Sequence, residues 1–234
     1  ARHLEVFLHR LGELGVEDPA AEIERRAQPA LVDFKGALLD LVAGGDWQAA
    51  VFAQNVILET MEYTVFRLHA ADADPVWTWS GVNTVGWVRR RQAHEALIHR
   101  VDAELATGLV SSVDPELAED GIDELLTQFG SEPPEWGEFD PSGLLIEVRS
   151  AFSQRTWRVR LGLFRGVDPT GTRHEEPDFA PVAETAAPVD ATIEGPAADL
   201  LLWLWGRGED AGIAAAGDPV ACQALRRAVV GNTQ

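Results

Sequence analysis

Glu95 and His99 are the residues of this chain whose types and spacing could do chemistry. They lie in Arg91-Gln-Ala-His-Glu-Ala-Leu-Ile-His-Arg-Val-Asp102, which reads as one helix. Four residues apart on a helix, a carboxylate and an imidazole leave the same face about one turn from each other. Both can then reach one divalent cation. Asp102, three residues beyond His99, lies near that face and could support such a site. No other group of titratable residues in the sequence has ligand-like spacing. Taken alone, Glu-x-x-x-His is more often half of a solvated ion pair, here with Arg91 or between the two residues themselves.

The elements that must position this helix are legible in part. Residues 2–15 read as an amphipathic helix ended by Gly15, with Pro19 beyond. Residues 19–43 repeat a helical pattern interrupted at Pro29, and a third helix spans about 46–68. Pro75-Val-Trp-Thr-Trp-Ser-Gly81 reads as an aromatic loop, and the helix carrying Glu95 and His99 runs from about Thr84 to Thr107, stopped by Gly108. Asp114 and Pro115 suit the cap and first turn of a helix reaching about Phe129. The block 130–138 is the expected linker. Beyond it the period changes. Residues 144–151 and 155–164 alternate as strands around a turn at Ser153-Gln154. Residues 166–188 read as loop, 190–194 as a short strand, and Gly195-Pro196 opens a helix to Trp205. Residues 222–230 read as a last helix. The expectation is an all-helical part over 1–132 and a small α+β domain over 140–234.

Composition limits the function classes. The chain has 234 residues, 46% hydrophobic and 24% charged, as in a globular protein with a full core. Its 38 acidic against 19 basic residues give a formal charge of −19. That field repels phosphate backbones and anionic lipid, so nucleic acid is not an expected partner. No apolar run has membrane-spanning length. Cys222 is the single cysteine, which fits a reducing cytoplasm. Ala1 sits directly in a helical pattern, so an upstream segment is expected. Oligomeric state is not readable.

A family resemblance extends along the chain from residue 76. Val76-Trp-Thr-Trp79, Thr84-Val-Gly-Trp87, Arg90-Arg-Gln-Ala-His-Glu95 and His99-Arg-Val-Asp-Ala-Glu-Leu-Ala106 resemble the mycothiol-dependent maleylpyruvate isomerase family of actinobacteria. So do Asp120-Gly-Ile-Asp-Glu-Leu-Leu126 and Gly195-Pro-Ala-Ala-Asp-Leu-Leu-Leu-Trp-Leu-Trp-Gly-Arg207. The resemblance implies a DinB-like four-helix bundle followed by a small α+β sterol-carrier-like domain. It also implies a divalent metal, usually zinc, held by His, Glu and His. Glu95 and His99 take the last two places. His3, followed by Leu4, matches the first, with His9 as the alternative on another helix face. The usual segment ahead of that ligand is missing here. An arginine of the C-terminal domain is implied at the active site, and Arg207 is the candidate.

Two imidazoles and a carboxylate leave open positions on a cation, as catalytic sites do. A thiol entering such a position ionises near neutral pH. The resemblance names that thiol as mycothiol, which would add to an electrophilic small molecule such as maleylpyruvate. Isomerase and S-transferase share this first step. A non-catalytic small-ligand-binding protein and a metal-dependent hydrolase using water are the alternatives. His94 points away from Glu95 along the helix, His69 reads as structural, and His174 is given no role. At least two of Arg89, Arg90 and Arg91 are expected in ion pairs. Trp77 and Trp79 read as core or cleft wall, Trp203 and Trp205 as core.

Overall fold

The computed structural model describes residues 71–108, 111–130, 133–183 and 187–233, and scattered positions before 71. The chain divides into two compact units, Ala1–Val110 and Ser111–Gln234. The division falls ahead of the 115–128 helix, which sequence pattern groups with the N-terminal part. The bundle expected over that part, and His3, His9 and His69 with it, lie outside the described residues. No helix among the described residues is long and apolar enough to cross a membrane.

In the first unit, α1 spans Val85–Thr107. Thr84 caps it in extended conformation, its hydroxyl accepting from the Trp87 amide at 3.2 Å. Gly108 closes it at φ 73°, a left-handed conformation that glycine adopts without a Cβ penalty. The loop ahead of the helix is tied by a bridge between Pro75 and Thr84 and by the Thr78 amide donating to Asn83 Oδ1 at 2.7 Å. Trp87, Arg91, His94, Ile98 and Val101 are buried along one stripe of α1.

The second unit is a five-stranded sheet under helices. Its helix α2 is Pro115–Gln128, capped by Asp114. Strands β1 Gly137–Ser150, β2 Thr156–Val167 and β3 Arg173–Pro181 run antiparallel. Strand β4, Ala191–Gly195, lies parallel to β1. Helix α3 is Ala197–Leu204, strand β5 is Ala214–Gly217 antiparallel to β4, and helix α4 is Pro219–Asn232. The sheet order is β3-β2-β1-β4-β5. Register puts Ile146, Val148, Trp157, Val159, Leu161, Phe179 and Ile193 on one sheet face, all buried. Ile122, Leu125, Leu126, Leu200, Leu204, Leu225 and Val229 complete the core from the helices. Each such side chain contributes roughly 1.5–3 kcal/mol when fully buried. Trp203 and Trp205 are buried in this unit.

Three features differ from the sequence pattern. Residues 173–181 form a strand on β2 where loop is expected, the block 130–138 runs into β1, and Ala214–Gly217 form an edge strand that no pattern announces. The turn joining β1 and β2 does fall at the expected place, with Gln154 at φ 64° and its amide on the Ser150 carbonyl at 3.0 Å.

Candidate metal centre

Glu95 and His99 stand together on α1. His99 Nε2 lies 3.2 Å from Glu95 Oε2, and Asp102 Oδ2 lies 3.8 Å from His99 Nδ1. The other Glu95 oxygen, Oε1, accepts from Arg91 Nη2 one turn earlier. Arg91, Glu95, His99 and Asp102 thus form one titratable stripe along the edge of the buried face. Arg91 is buried, whereas Glu95, His99 and Asp102 are partly accessible.

The 3.2 Å between Oε2 and Nε2 is an ordinary imidazole–carboxylate pairing distance. A neutral His99 ligating through Nε2 carries its proton on Nδ1, the side on which Asp102 stands. Among the described residues, no three His, Cys, Asp or Glu gather as a complete ligand set. His3 and His9 lie outside the described residues.

The neighbours sort by role. Arg89 bonds Asp72 and Arg91 bonds Glu95, so at least two of the three arginines are in ion pairs. His94 is buried one position away from Glu95, on the inner stripe. Trp77 is 39% exposed, while Trp79 meets Trp87 edge-on at 5.3 Å between ring centres.

In the second unit Arg207 follows α3. Its Nη1 donates to the Trp205 carbonyl at 2.7 Å and its guanidinium lies 5.5 Å from the Trp205 ring centre. Both contacts suit a residue at a helix C-terminus. Cys222 is buried, and burial pushes its thiol up, with Asp218 adding to the effect.

Sequence pattern missed one charged cluster. His174 Nε2 sits 3.0 Å from Asp168 Oδ2, and its Nδ1 sits 3.2 Å from Glu176 Oε1. The Asp168 carboxylate also accepts from the Thr170 amide, the Thr170 hydroxyl and the Thr172 amide. The hydrogen bond from His174, then that from Thr170, holds Asp168 well below the usual carboxylate range. The same bond to Asp168, then that to Glu176, raises His174. The alternation Asp168-x-Thr170-x-Thr172-x-His174 was the available signal: a turn closed by an aspartate that collects its own donors. The cluster flanks an open cavity of about 520 Å³ lined by Trp136, Arg165, Arg173 and His174 among others.

Comparison with known proteins gives three results. Residues 116–224 match the family described as the MDMPI C-terminal domain, a segment wholly inside the second unit. No curated protein matches the chain. A solved structure described as a UbiJ-SCP2 ubiquinone synthesis protein aligns with 52% of this chain and 96% of its own length, at 17% identity and a TM-score of 0.26.

Proposed function

We propose that this protein is a metal- and mycothiol-dependent isomerase or S-transferase acting on an electrophilic small molecule such as maleylpyruvate. The observation that carries the reading is the match of residues 116–224 to the MDMPI C-terminal domain, part of the mycothiol maleylpyruvate isomerase family. The Glu95–His99 pair on the helix ahead of that domain supports it.

Glu95 Oε2 and His99 Nε2 would hold the cation, with His3 as the third ligand and His9 as its alternative. A bound divalent ion, zinc by ligand type, supplies acidity that ionises a thiol near neutral pH. Asp102, 3.8 Å from His99 Nδ1, would favour a proton on that nitrogen and so leave Nε2 to ligate. Cys222 is no substitute for an external thiol, because burial keeps its sulfur protonated. Arg207 is proposed to grip a substrate carboxylate through its planar guanidinium. Both reactions begin with addition of a sulfur to an activated carbon. They differ in whether the sulfur leaves after rotation about the former double bond.

Metal analysis of the purified protein beside Glu95→Gln and His99→Ala tests the site. The expected result is one divalent ion in the parent protein and substantial loss in both variants. Unchanged metal content in both sinks the metal centre. Maleylpyruvate is then expected to be consumed only with mycothiol present. Consumption without thiol favours hydrolysis, and no turnover of any electrophile favours a binding protein.

A further inference from the structure

His174 presents both of its ring nitrogens to carboxylates. Nε2 lies 3.0 Å from Asp168 Oδ2, in the turn between β2 and β3, and Nδ1 lies 3.2 Å from Glu176 Oε1, further along β3. A neutral imidazole carries one N–H and one lone pair, so only the imidazolium can donate to both. The geometry points to a proton-operated latch. As imidazolium, His174 ties the turn to β3 and braces the Trp136 ring. When its proton passes to solvent, the Glu176 arm lets go and this end of the sheet loosens.

The two arms are unequal. The Asp168 side chain is 3% exposed and also accepts from the Thr170 amide, the Thr170 hydroxyl and the Thr172 amide, so it stays in place in either form of the ring. The Glu176 side chain is 41% exposed. With the remaining proton on Nε2, the Nδ1 lone pair faces Glu176 Oε1, and a carboxylate within reach of water turns away from it. The ring also supports its neighbours. Trp136 lies 5.2 Å from the His174 ring and meets Phe164 edge-on at 5.2 Å. A Cβ at Gly166, opposite His174 in register, would come within 2.8 Å of the Trp136 ring, so the indole lies against bare backbone there. The Trp136 carbonyl accepts from the Val167 amide at 3.2 Å. The other charged groups nearby are Glu135, Glu138, Arg165, Arg173 and Glu175, which line the adjoining cavity. Arg165 among them is paired with Asp140 and Glu175. The carboxylates at bonding distance, Asp168 first and Glu176 second, raise His174, so the latch opens only as pH climbs above the ordinary imidazole range.

Amide hydrogen exchange on the full chain, read by NMR, tests the latch locally. The probes are the Val167 amide, bonded to the Trp136 carbonyl, and the Asp168 amide, bonded to the Thr172 carbonyl at 2.9 Å. The Gln154 amide, in the turn at the other end of β2, is the control. With the intrinsic pH effect divided out, protection of both probes is expected to drop about threefold or more from below to above the His174 titration midpoint, while Gln154 keeps its protection. Ring nitrogen shifts should show the Nε2–H tautomer above that midpoint. His174→Gln, neutral throughout, is expected to have low protection at both pH values and no drop. Glu176→Gln removes one arm at an accessible position and is expected to lower the midpoint, which keeps the test decisive if the His174 variant does not fold. Protection independent of pH in the parent, an equal drop in His174→Gln, or an equal drop at Gln154 overturns the latch. So does a midpoint that Glu176→Gln leaves unmoved.

Discussion

Among the described residues, Asp168 and His174 form a pair whose two members are shifted in opposite directions, each by the other first. Asp168 is held below its ordinary range by His174 first and Thr170 second, so its contribution to stability is present above its unfolded value of about 3.9. That contribution fades as pH falls toward the lowered folded value. His174 is raised, by Asp168 first and Glu176 second, so its contribution is fully present below about 6.5 and is lost as pH rises through the raised folded value. The pair therefore stabilises most between about pH 4 and 6.5. In Asp168→Asn the NMR titration midpoint of His174 is expected to fall. The stability gap between parent and variant, from urea unfolding, is expected to be larger at about pH 6 than at about pH 9. A gap independent of pH would mean that the imidazolium does not contribute. Trp136 packs against this pair, its ring 5.2 Å from the His174 ring and tilted by 46°.

At the scale of elements, α2 is tied to the β1–β2 hairpin by named polar contacts as well as by core packing. Asp123 Oδ1 accepts from Trp157 Nε1 at 3.0 Å and from Arg155 Nη2, and Glu119 Oε1 accepts from Ser153 Oγ at 2.7 Å. Trp157 is 6% exposed, so removing its acceptor leaves a buried donor without a partner. Asp123→Ala is expected to cost about 1–3 kcal/mol in denaturant unfolding, and less in a Trp157→Phe background, where no indole N–H remains. Equal costs in both backgrounds would assign the effect to Arg155 or to the helix itself. A second expectation concerns β2. A Cβ at Gly162 would collide with the Asp140 carbonyl oxygen on the neighbouring strand, so Gly162→Ala should cost about 1–3 kcal/mol. These elements also show what sequence pattern can carry. The inner strands β1, β2 and β4 are half buried, and burial on one face writes alternation into their residues. The edges β3 and β5 lack that constraint. Strand β3 holds Pro177 and a run of acids, which an edge tolerates, and β5 is Ala-Ala-Ala-Gly, which carries no strand signal. Helix starts were legible because caps are local: Thr84 and Asp114 each accept from an amide three residues on. The Glu95–His99 pair was legible for the same reason, lying within one turn. His174 was not, because the turn after Asp168 brings its partner to it.

At the scale of the molecule, the two compact units divide the proposed work. The candidate ligands Glu95 and His99 lie in Ala1–Val110, whereas the segment matching the MDMPI C-terminal domain lies in Ser111–Gln234. The second unit has its own continuous core, from Ile122 and Leu125 through the sheet to Leu225 and Val229. Residues 111–234 expressed alone are therefore expected to unfold cooperatively, with one sigmoidal transition by circular dichroism. Binding of a cation to the native state alone stabilises by RT ln(1 + [L]/Kd), about 2.7 kcal/mol at a hundredfold excess over Kd. That gain belongs to whichever unit holds the ligands. Zinc should raise the unfolding midpoint of the full chain, a chelator should reverse the shift, and His99→Ala should remove it. The 111–234 fragment should not respond. A fragment that gains as much from zinc as the full chain would move the cation away from α1 to side chains of the second unit.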